Sequence, residues 1–333
     1  MARHTKMSTA ILTLLALTAS GLAGCRNQTP ETDGQERSLT SPPSVSSSAL
    51  LPIETIDGQA AWDYVKFQTD LGPRPAGSPA SQKLADALTQ RLKSYGYQTE
   101  LQKFIPHTPD GPIEMRNVLA SKAGQIPQRF IIGAHYDTKR FSDCRFVGAN
   151  DGGSGVAVAL EIAKILAKAP LRHSVQFVFF DGEEAIQHWG PKDSLYGSRF
   201  FVQHALHNQT AASIKAVFIL DMVGDKQLQL SEEYFSTPVL REQLRFAAQE
   251  LNLQQYLPSQ RQTAIEDDHL PFIEQSIPAI DVIGFYTSAE GVYPEYWHTP
   301  EDTLDKVSPE SLSAAGSIVL RTLRRLDEVS SVP

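Results

Sequence analysis

The sequence predicts an α/β sandwich built on a largely parallel or mixed sheet. Short apolar runs carry the first half of that expectation. Phe130–Ile132, Val175–Phe180 and Val217–Leu220 have no polar face, Gln176 excepted, so they read as strands covered on both sides. Between them lie longer stretches whose apolar residues recur at helical spacing, the alternation expected when helices cover a sheet.

Taken in order, Trp62, Val65 and Leu71 punctuate a first helix that ends before the turn Gly72-Pro73-Arg74-Pro75. Leu84, Leu88, Leu92 and Tyr95 mark a second helix, and Gly96 fits its C-terminal cap. The run at 130–132 is a buried strand. A helix is expected over Gly152–Lys168, with Val156, Leu160, Ala163 and Leu166 on one side. Val175–Phe180 reads as a central strand, Val217–Leu220 repeats its pattern, and Ala279–Ile283 is a further strand. Ser308-Pro309 opens the last helix as N-cap and N1.

The N-terminal end reads differently. Arg3 and Lys6 precede a mostly apolar run, Ala10–Ala23, that is too short to span a bilayer. It ends in Leu22-Ala23-Gly24-Cys25, which resembles a bacterial lipobox and implies cleavage before Cys25 with lipid on its sulfur. An ordinary secretory signal with a chance cysteine is the alternative. The expected organisation is a lipoprotein signal peptide over 1–24, a flexible tether over 25–51 with few large apolar residues, and a single α/β domain over 52–333. The protein is expected to be exported and lipid-anchored to a bacterial membrane, its body in the periplasm or outside the cell. Cys144 is the only other cysteine, so a lipidated Cys25 leaves no internal disulfide. With 41% hydrophobic residues among 333, the chain can fill one large core, and a net charge of −8 argues against nucleic-acid binding.

Six positions carry the chemistry: His135, Asp151, the pair Glu183-Glu184, Asp221 and His298. Each falls where an apolar strand ends or a turn begins, and in α/β sheets ligands bind at the carboxyl ends of strands. Successive gaps between His135, Asp151, Glu184, Asp221 and His298 are 16, 33, 37 and 77 residues, so the tertiary fold must gather them. No HExxH occurs. Imidazole with carboxylate and no thiolate set suits zinc. Adjacent residues at a strand end point in different directions, so one of Glu183 and Glu184 can bind metal while the other acts as a general base.

Each motif also admits a plainer reading. The acidic turn at Asp181–Glu184 fits a solvated loop, and a lone His after a strand fits a structural role. Asp137, two residues after His135, suits a carboxylate steadying the imidazole or the ligands around it. Asn150–Gly155 also reads as a phosphate nest or helix cap, though its central acid disfavours phosphate. Val156 stands where a GxSxG motif needs its last Gly, which argues against a serine nucleophile. Glu301 and Asp302 fit either a supporting or a surface role. Trp189 and Trp297 fit pocket walls or core. Cys144 reads as an incidental thiol.

Residues 60–325 resemble the zinc exopeptidase superfamily of co-catalytic aminopeptidases, and within it the glutaminyl-peptide cyclotransferases. The stretches that carry this are His135-Tyr136-Asp137, Phe180–Ala185, His188-Trp189, Asp193–Arg199, Ile219–Asp221, Glu266–Phe272 and Tyr293–His298. The resemblance implies a three-layer α/β sandwich, its mixed and mostly parallel central sheet flanked by helices. It implies Asp151, Glu184 and His298 as zinc ligands and Glu183 as general acid/base. Asp221 and Asp267 join a hydrogen-bond network near the substrate amine, and Trp189, Tyr293 and Trp297 wall the substrate pocket. One zinc is expected, with a second allowed at His135 and Asp221. The sequence departs from the animal enzymes at Ala134 and Val156, where they have a disulfide, and at Asp281, where they have a His. The implied activity converts an N-terminal glutamine of a peptide or protein to pyroglutamate with release of ammonia; a zinc aminopeptidase is the alternative. The implied partners are peptide or protein substrates, with no nucleic acid and no membrane contact beyond the lipid on Cys25. The chain is expected to work as a monomer.

Overall fold

In the computed structural model, which describes residues 54–258, 262–288 and 291–328, the apolar runs meet in one six-stranded sheet between two layers of helices. The expected signal peptide, the lipid-bearing Cys25 and the tether lie outside the described residues. The strands in chain order are β1 (Gln98–Phe104), β2 (His107–Thr108), β3 (Gly111–Pro112), β4 (Met115–Lys122), β5 (Ile126–His135) and β6 (His173–Phe180). They continue with β7 (Ile214–Asp221), β8 (Glu232–Glu233), β9 (Gln262–Thr263), β10 (Ala279–Ile283), β11 (Tyr286–Ser288) and β12 (Gly291–Tyr293). The large sheet has the order β1-β4-β6-β5-β7-β10, and the remaining strands form two-stranded ladders. β6, β5, β7 and β10 run parallel, whereas β4 is antiparallel to both β1 and β6. The sheet is therefore mixed and mostly parallel.

Alternation along the strands explains the layers. Phe130, Ile132, Phe177, Phe179, Phe218 and Leu220 face one core. Their neighbours Ile131, Val178, Phe180, Val217 and Ile219 face the other. The first core is closed by α1 (Gly58–Asp70), α2 (Pro79–Ser94), α3 (Ser154–Lys168), α5 (Pro238–Glu250) and α7 (Pro309–Glu328). On the opposite side α4 (Tyr196–His207) and α6 (Leu270–Ile273) supply Phe201, Val202 and Phe272. Both faces are dry, which is why these strands carry no polar stripe. No helix of the described residues is long and apolar enough to cross a membrane.

The helix expected from Gly152 begins two residues later, at Ser154. Gly152 has a φ of +76°, a left-handed turn conformation that cannot open a right-handed helix. The glycine is also required by space, since a Cβ there would meet Asp137 O at 2.4 Å. Helix α3 is buried from Ser154 to Ala163 rather than along one side, because it lies across the sheet beneath α1 and α7. At Gly155 its backbone comes so near β7 that a Cβ would lie 1.9 Å from Leu220 O. Strands β1 and β4 and helices α4 and α5 have no counterpart in the sequence expectations. β4 hides its signal by burying Arg116 and Asn117. Asn117 Nδ2 donates to Gln102 Oε1 and to Gly197 O, both at 2.9 Å, so its polarity is satisfied inside.

Candidate metal centre

The parallel strands end at one edge of the sheet, and their ends supply the site. His135 is the last residue of β5 and Asp221 the last of β7. Glu183 and Glu184 follow β6 after the turn at Gly182, whose φ is +73°. Asp151 sits in the turn before α3. His298 lies in the loop after β12 with a φ of +55°, and Met222, directly after Asp221, has a φ of +51°. Non-glycine residues held there are strained, and such strain gathers at functional sites.

Five of the six expected residues converge on two overlapping donor sets that share Asp151. In one, His298 Nε2 lies 2.9 Å from Glu184 Oε1 and 3.3 Å from Asp151 Oδ2. In the other, His135 Nε2 lies 3.3 Å from Asp151 Oδ1 and 3.2 Å from Asp221 Oδ1. Asp151 thus turns one oxygen to each imidazole. Donors about 2.0–2.2 Å from a common zinc stand about 3 Å or more from one another, so these spacings suit metal ligands. Glu183 stands apart, its Oε2 3.9 Å from His135 Nδ1. Glu184 thus brings an oxygen to the His298 set, and Glu183 belongs to neither set.

Three further carboxylates hold the loops, and they act on backbone amides. Asp137 accepts from Glu183 N at 3.0 Å and Glu184 N at 3.4 Å, so it steadies the glutamate pair more directly than the imidazole, whose Nδ1 is 3.7 Å away. Asp302, fully buried, accepts from Asn150 N at 2.8 Å and Asp151 N at 3.0 Å, while its neighbour Glu301 is exposed. Asp193 accepts from Ile186, Gln187 and His188 amides at 2.8–2.9 Å, tying down the segment that carries Trp189. A buried backbone N–H needs a partner, and irregular loops at a strand edge have none in the ladder.

Charge is strongly unbalanced here. Burial works to raise the Asp151 carboxyl, but the imidazoles of His135 and His298 overcome it and hold the group well below the usual carboxylate range. Burial opposes a proton on His298, yet Asp151 and Glu184 push its pKa up to about 9. His135 is raised well above its ordinary value against the same opposition, by Asp137, Asp151 and Asp221. Burial lifts Asp221 to about 7, with His135 opposing and Asp267 and Asp151 adding to the rise. Burial also pushes Glu183 well above the usual range; His135 opposes, and Glu184, Asp267 and Asp268 reinforce it. Asp151 Oδ2 and His135 Nδ1 are buried without a hydrogen-bond partner. Surplus carboxylates, two imidazoles and orphaned donor atoms fit a divalent cation, which would displace the imidazole protons.

The cleft above this cluster has a volume of about 730 Å³. Asp151, Glu183, Glu184, Asp221, Asp267 and His298 line its floor, and Trp189, Phe285 and Trp297 its walls. Trp297 stacks on the His298 ring at 3.9 Å between centroids, and Trp189 Nε1 donates to Glu266 Oε2 at 2.7 Å. Tyr293, expected as a third wall, is not among the lining residues. Its ring stacks on Tyr286 at 4.8 Å and borders a separate cavity of about 400 Å³. The β11–β12 pairing sets Tyr293 opposite Tyr286 and so fixes that placement. Lys139 was not foreseen: its Nζ lies 3.2 Å from Glu184 Oε2, on the oxygen turned away from His298. A lysine four residues after His135 was the available signal. Cys144 is free and partly exposed.

Residues 117–323 match peptidase family M28. A glutaminyl-peptide cyclotransferase-like protein of Bos taurus is 31% identical over 267 residues, covering 72% of this chain and 68% of that protein. Among solved structures, the glutaminyl cyclase of an Acidobacteriales bacterium superposes with a TM-score of 0.77 at 34% identity, over 89% of this chain and 99% of that one. A Zn-dependent exopeptidase from Parabacteroides distasonis gives a TM-score of 0.73 at 29% identity, over 82% and 99%. The chain therefore belongs to peptidase family M28 and, within it, to the glutaminyl-peptide cyclotransferases of the zinc exopeptidase-like fold.

Proposed function

We propose that this protein is a zinc-dependent glutaminyl-peptide cyclotransferase, an acyltransferase that converts an N-terminal glutamine to pyroglutamate with release of ammonia. The observation that carries this reading is the divided pair Glu183-Glu184: one carboxylate joins a donor set, and its neighbour is left over inside an aromatic-walled cleft. Asp151, Glu184 and His298 would hold the zinc. When bound, zinc supplies Lewis-acid polarisation of the γ-carboxamide carbonyl.

The remaining work belongs to side chains. Glu183 takes a proton from the substrate's α-amine, whose nitrogen attacks the amide carbon of the same residue. As that C–N bond forms, the bond to the amide nitrogen breaks, and Glu183 returns its proton to the departing ammonia. A carboxyl raised by burial can hold that proton between the two transfers. Asp221 and Asp267, both at the cleft floor, accept hydrogen bonds from the amine and orient it. Trp189 and Trp297 keep water from the carbonyl, so cyclisation wins over hydrolysis. Nucleophile and electrophile share one residue, and holding them in line replaces much of the entropy an intermolecular attack would lose.

The second donor set, His135 with Asp151 and Asp221, favours an aminopeptidase as the alternative, since it would let a second metal and a water share the site. One assay separates the two. A Gln-initiated peptide should give pyroglutamyl peptide and stoichiometric ammonia. Release of a free N-terminal amino acid in place of ammonia would overturn the cyclase reading. The lipobox at Leu22–Cys25 supports export and lipid anchoring of the enzyme; a Cys25→Ala chain that still partitions with membranes would refute the anchor.

A further inference from the structure

Asp267 has the catalytic cleft on one side and a second group of buried donors on the other. We propose that Asp267, His269 and Asp281 hold a divalent first-row cation of their own, separate from the Asp151-centred sets. One donor atom from each of the three lies within 4.8 Å of the other two. All three residues are buried, His269 completely. His269 Nδ1, both oxygens of Asp281 and Asp267 Oδ2 lack a hydrogen-bond partner. Each such buried atom costs about 1–3 kcal/mol if nothing satisfies it, and more when charged.

The geometry points to an ion. His269 Nδ1 and Asp281 Oδ2 face each other at 4.0 Å. That is too long for a hydrogen bond. Two donors each about 2.0–2.2 Å from one tetrahedral metal stand about 3.3–3.6 Å apart, so an ion would draw this pair together by about half an ångström. On the far side of the ring, Nε2 lies 3.1 Å from Glu233 Oε2 in an ion-pair contact. Glu233 is itself fixed, accepting from Phe235 N at 2.9 Å and Ser236 Oγ at 2.8 Å. A carboxylate behind a histidine selects the tautomer that leaves the other nitrogen free to ligate. One imidazole with two carboxylates suits zinc, manganese or ferrous iron above calcium or magnesium.

A cavity of about 30 Å³, bordered by Ser231, Glu233, Arg241 and Asp281, touches the group at Asp281. That is room for an ion or a water. Arg241 does not fill the role of cation, because its Nη1 donates to Glu233 O at 3.1 Å and approaches Glu232 Oε1 at 3.9 Å. An ion here would fix the charge and position of Asp267 where it enters the cleft. The inference stands without the cyclase reading, since it concerns metal content alone.

The test is anomalous diffraction above and below the zinc edge, on crystals of the full chain grown with zinc chloride. A peak enclosed by Asp267, His269 and Asp281, additional to one at Asp151, Glu184 and His298, is the expected result. A peak at the latter site and none at the former overturns the proposal and leaves the two acids and the imidazole to be satisfied by protons. Elemental analysis gives a second readout: Asp281→Asn should carry one fewer zinc per chain than the parent, and equal counts refute the site. Should that variant fail to fold, the anomalous map of the parent decides alone.

Discussion

At the amino-terminal edge of the sheet, where β6 and β7 begin, His173 Nδ1 lies 2.7 Å from Asp327 Oδ1. Asp327 also accepts from Arg172 N at 2.7 Å and His173 N at 2.9 Å, and Lys215 Nζ stands 3.1 Å from His173 Nε2. At the carboxyl-terminal edge of the sheet, His135 and Asp151 are as deeply buried and Asp221 is partly so, yet Asp151 Oδ2 and His135 Nδ1 have no hydrogen-bond partner. The two groups use the same residue types on the same scaffold. One is saturated by its own backbone and side chains, which marks it as a fastening for α7. The other carries unmet donor capacity, which marks it as a receptor for something the chain does not contain. Residue type alone does not separate a structural His–Asp pair from a ligand site; the count of satisfied atoms does.

The sharpest way to break this contrast is Glu183→Gln, which removes a proton carrier and leaves every donor to the metal in place. Turnover of a Gln-initiated peptide should fall about 10²–10⁴-fold with zinc content unchanged. Loss of zinc in that variant would make Glu183 a ligand and blur the division of the pair. At the other edge, Asp327→Ala should cost about 3–5 kcal/mol of stability in a denaturant titration, because it strands a buried imidazole and two amides. Its kcat/KM, measured below the unfolding transition, should stay at the parent value; a fall would mean that the two edges are coupled. Asp302→Asn is the mildest of the three. It keeps one acceptor for the Asp151 turn and should weaken zinc binding about 10–100-fold in competition with a chromophoric chelator. Unaltered affinity would show that the turn holds itself.

Much of this was legible in the sequence for a plain reason. Strands buried on both faces must be apolar throughout, so Val175–Phe180 and Val217–Leu220 announce themselves, and the donors that end them inherit their direction. The less legible parts are those where polarity is satisfied internally. β4 carries a buried asparagine and reads as a loop until Gln102 and Gly197 are seen beside it. The clasp of Asp302 on the Asp151 turn joins residues 151 positions apart, and no local pattern predicts such a pairing. Tyr293 shows what motif position leaves open. Motif position assigned it to the pocket, but the strand register of β11 and β12 turned its ring onto Tyr286. His269 and Asp281 lie in a short helix N-cap and a strand interior, where each alone looks like ordinary packing.

During synthesis the ribosome delivers Asp302 long after the Asp151 turn that depends on it. A nascent chain that stops before residue 298 has neither the last imidazole nor the carboxylate that clasps the two amides of the turn. Closure of the His298 set is therefore a late event that waits for nearly the whole chain, whereas His135, Asp151 and Asp221 have all been delivered by residue 221.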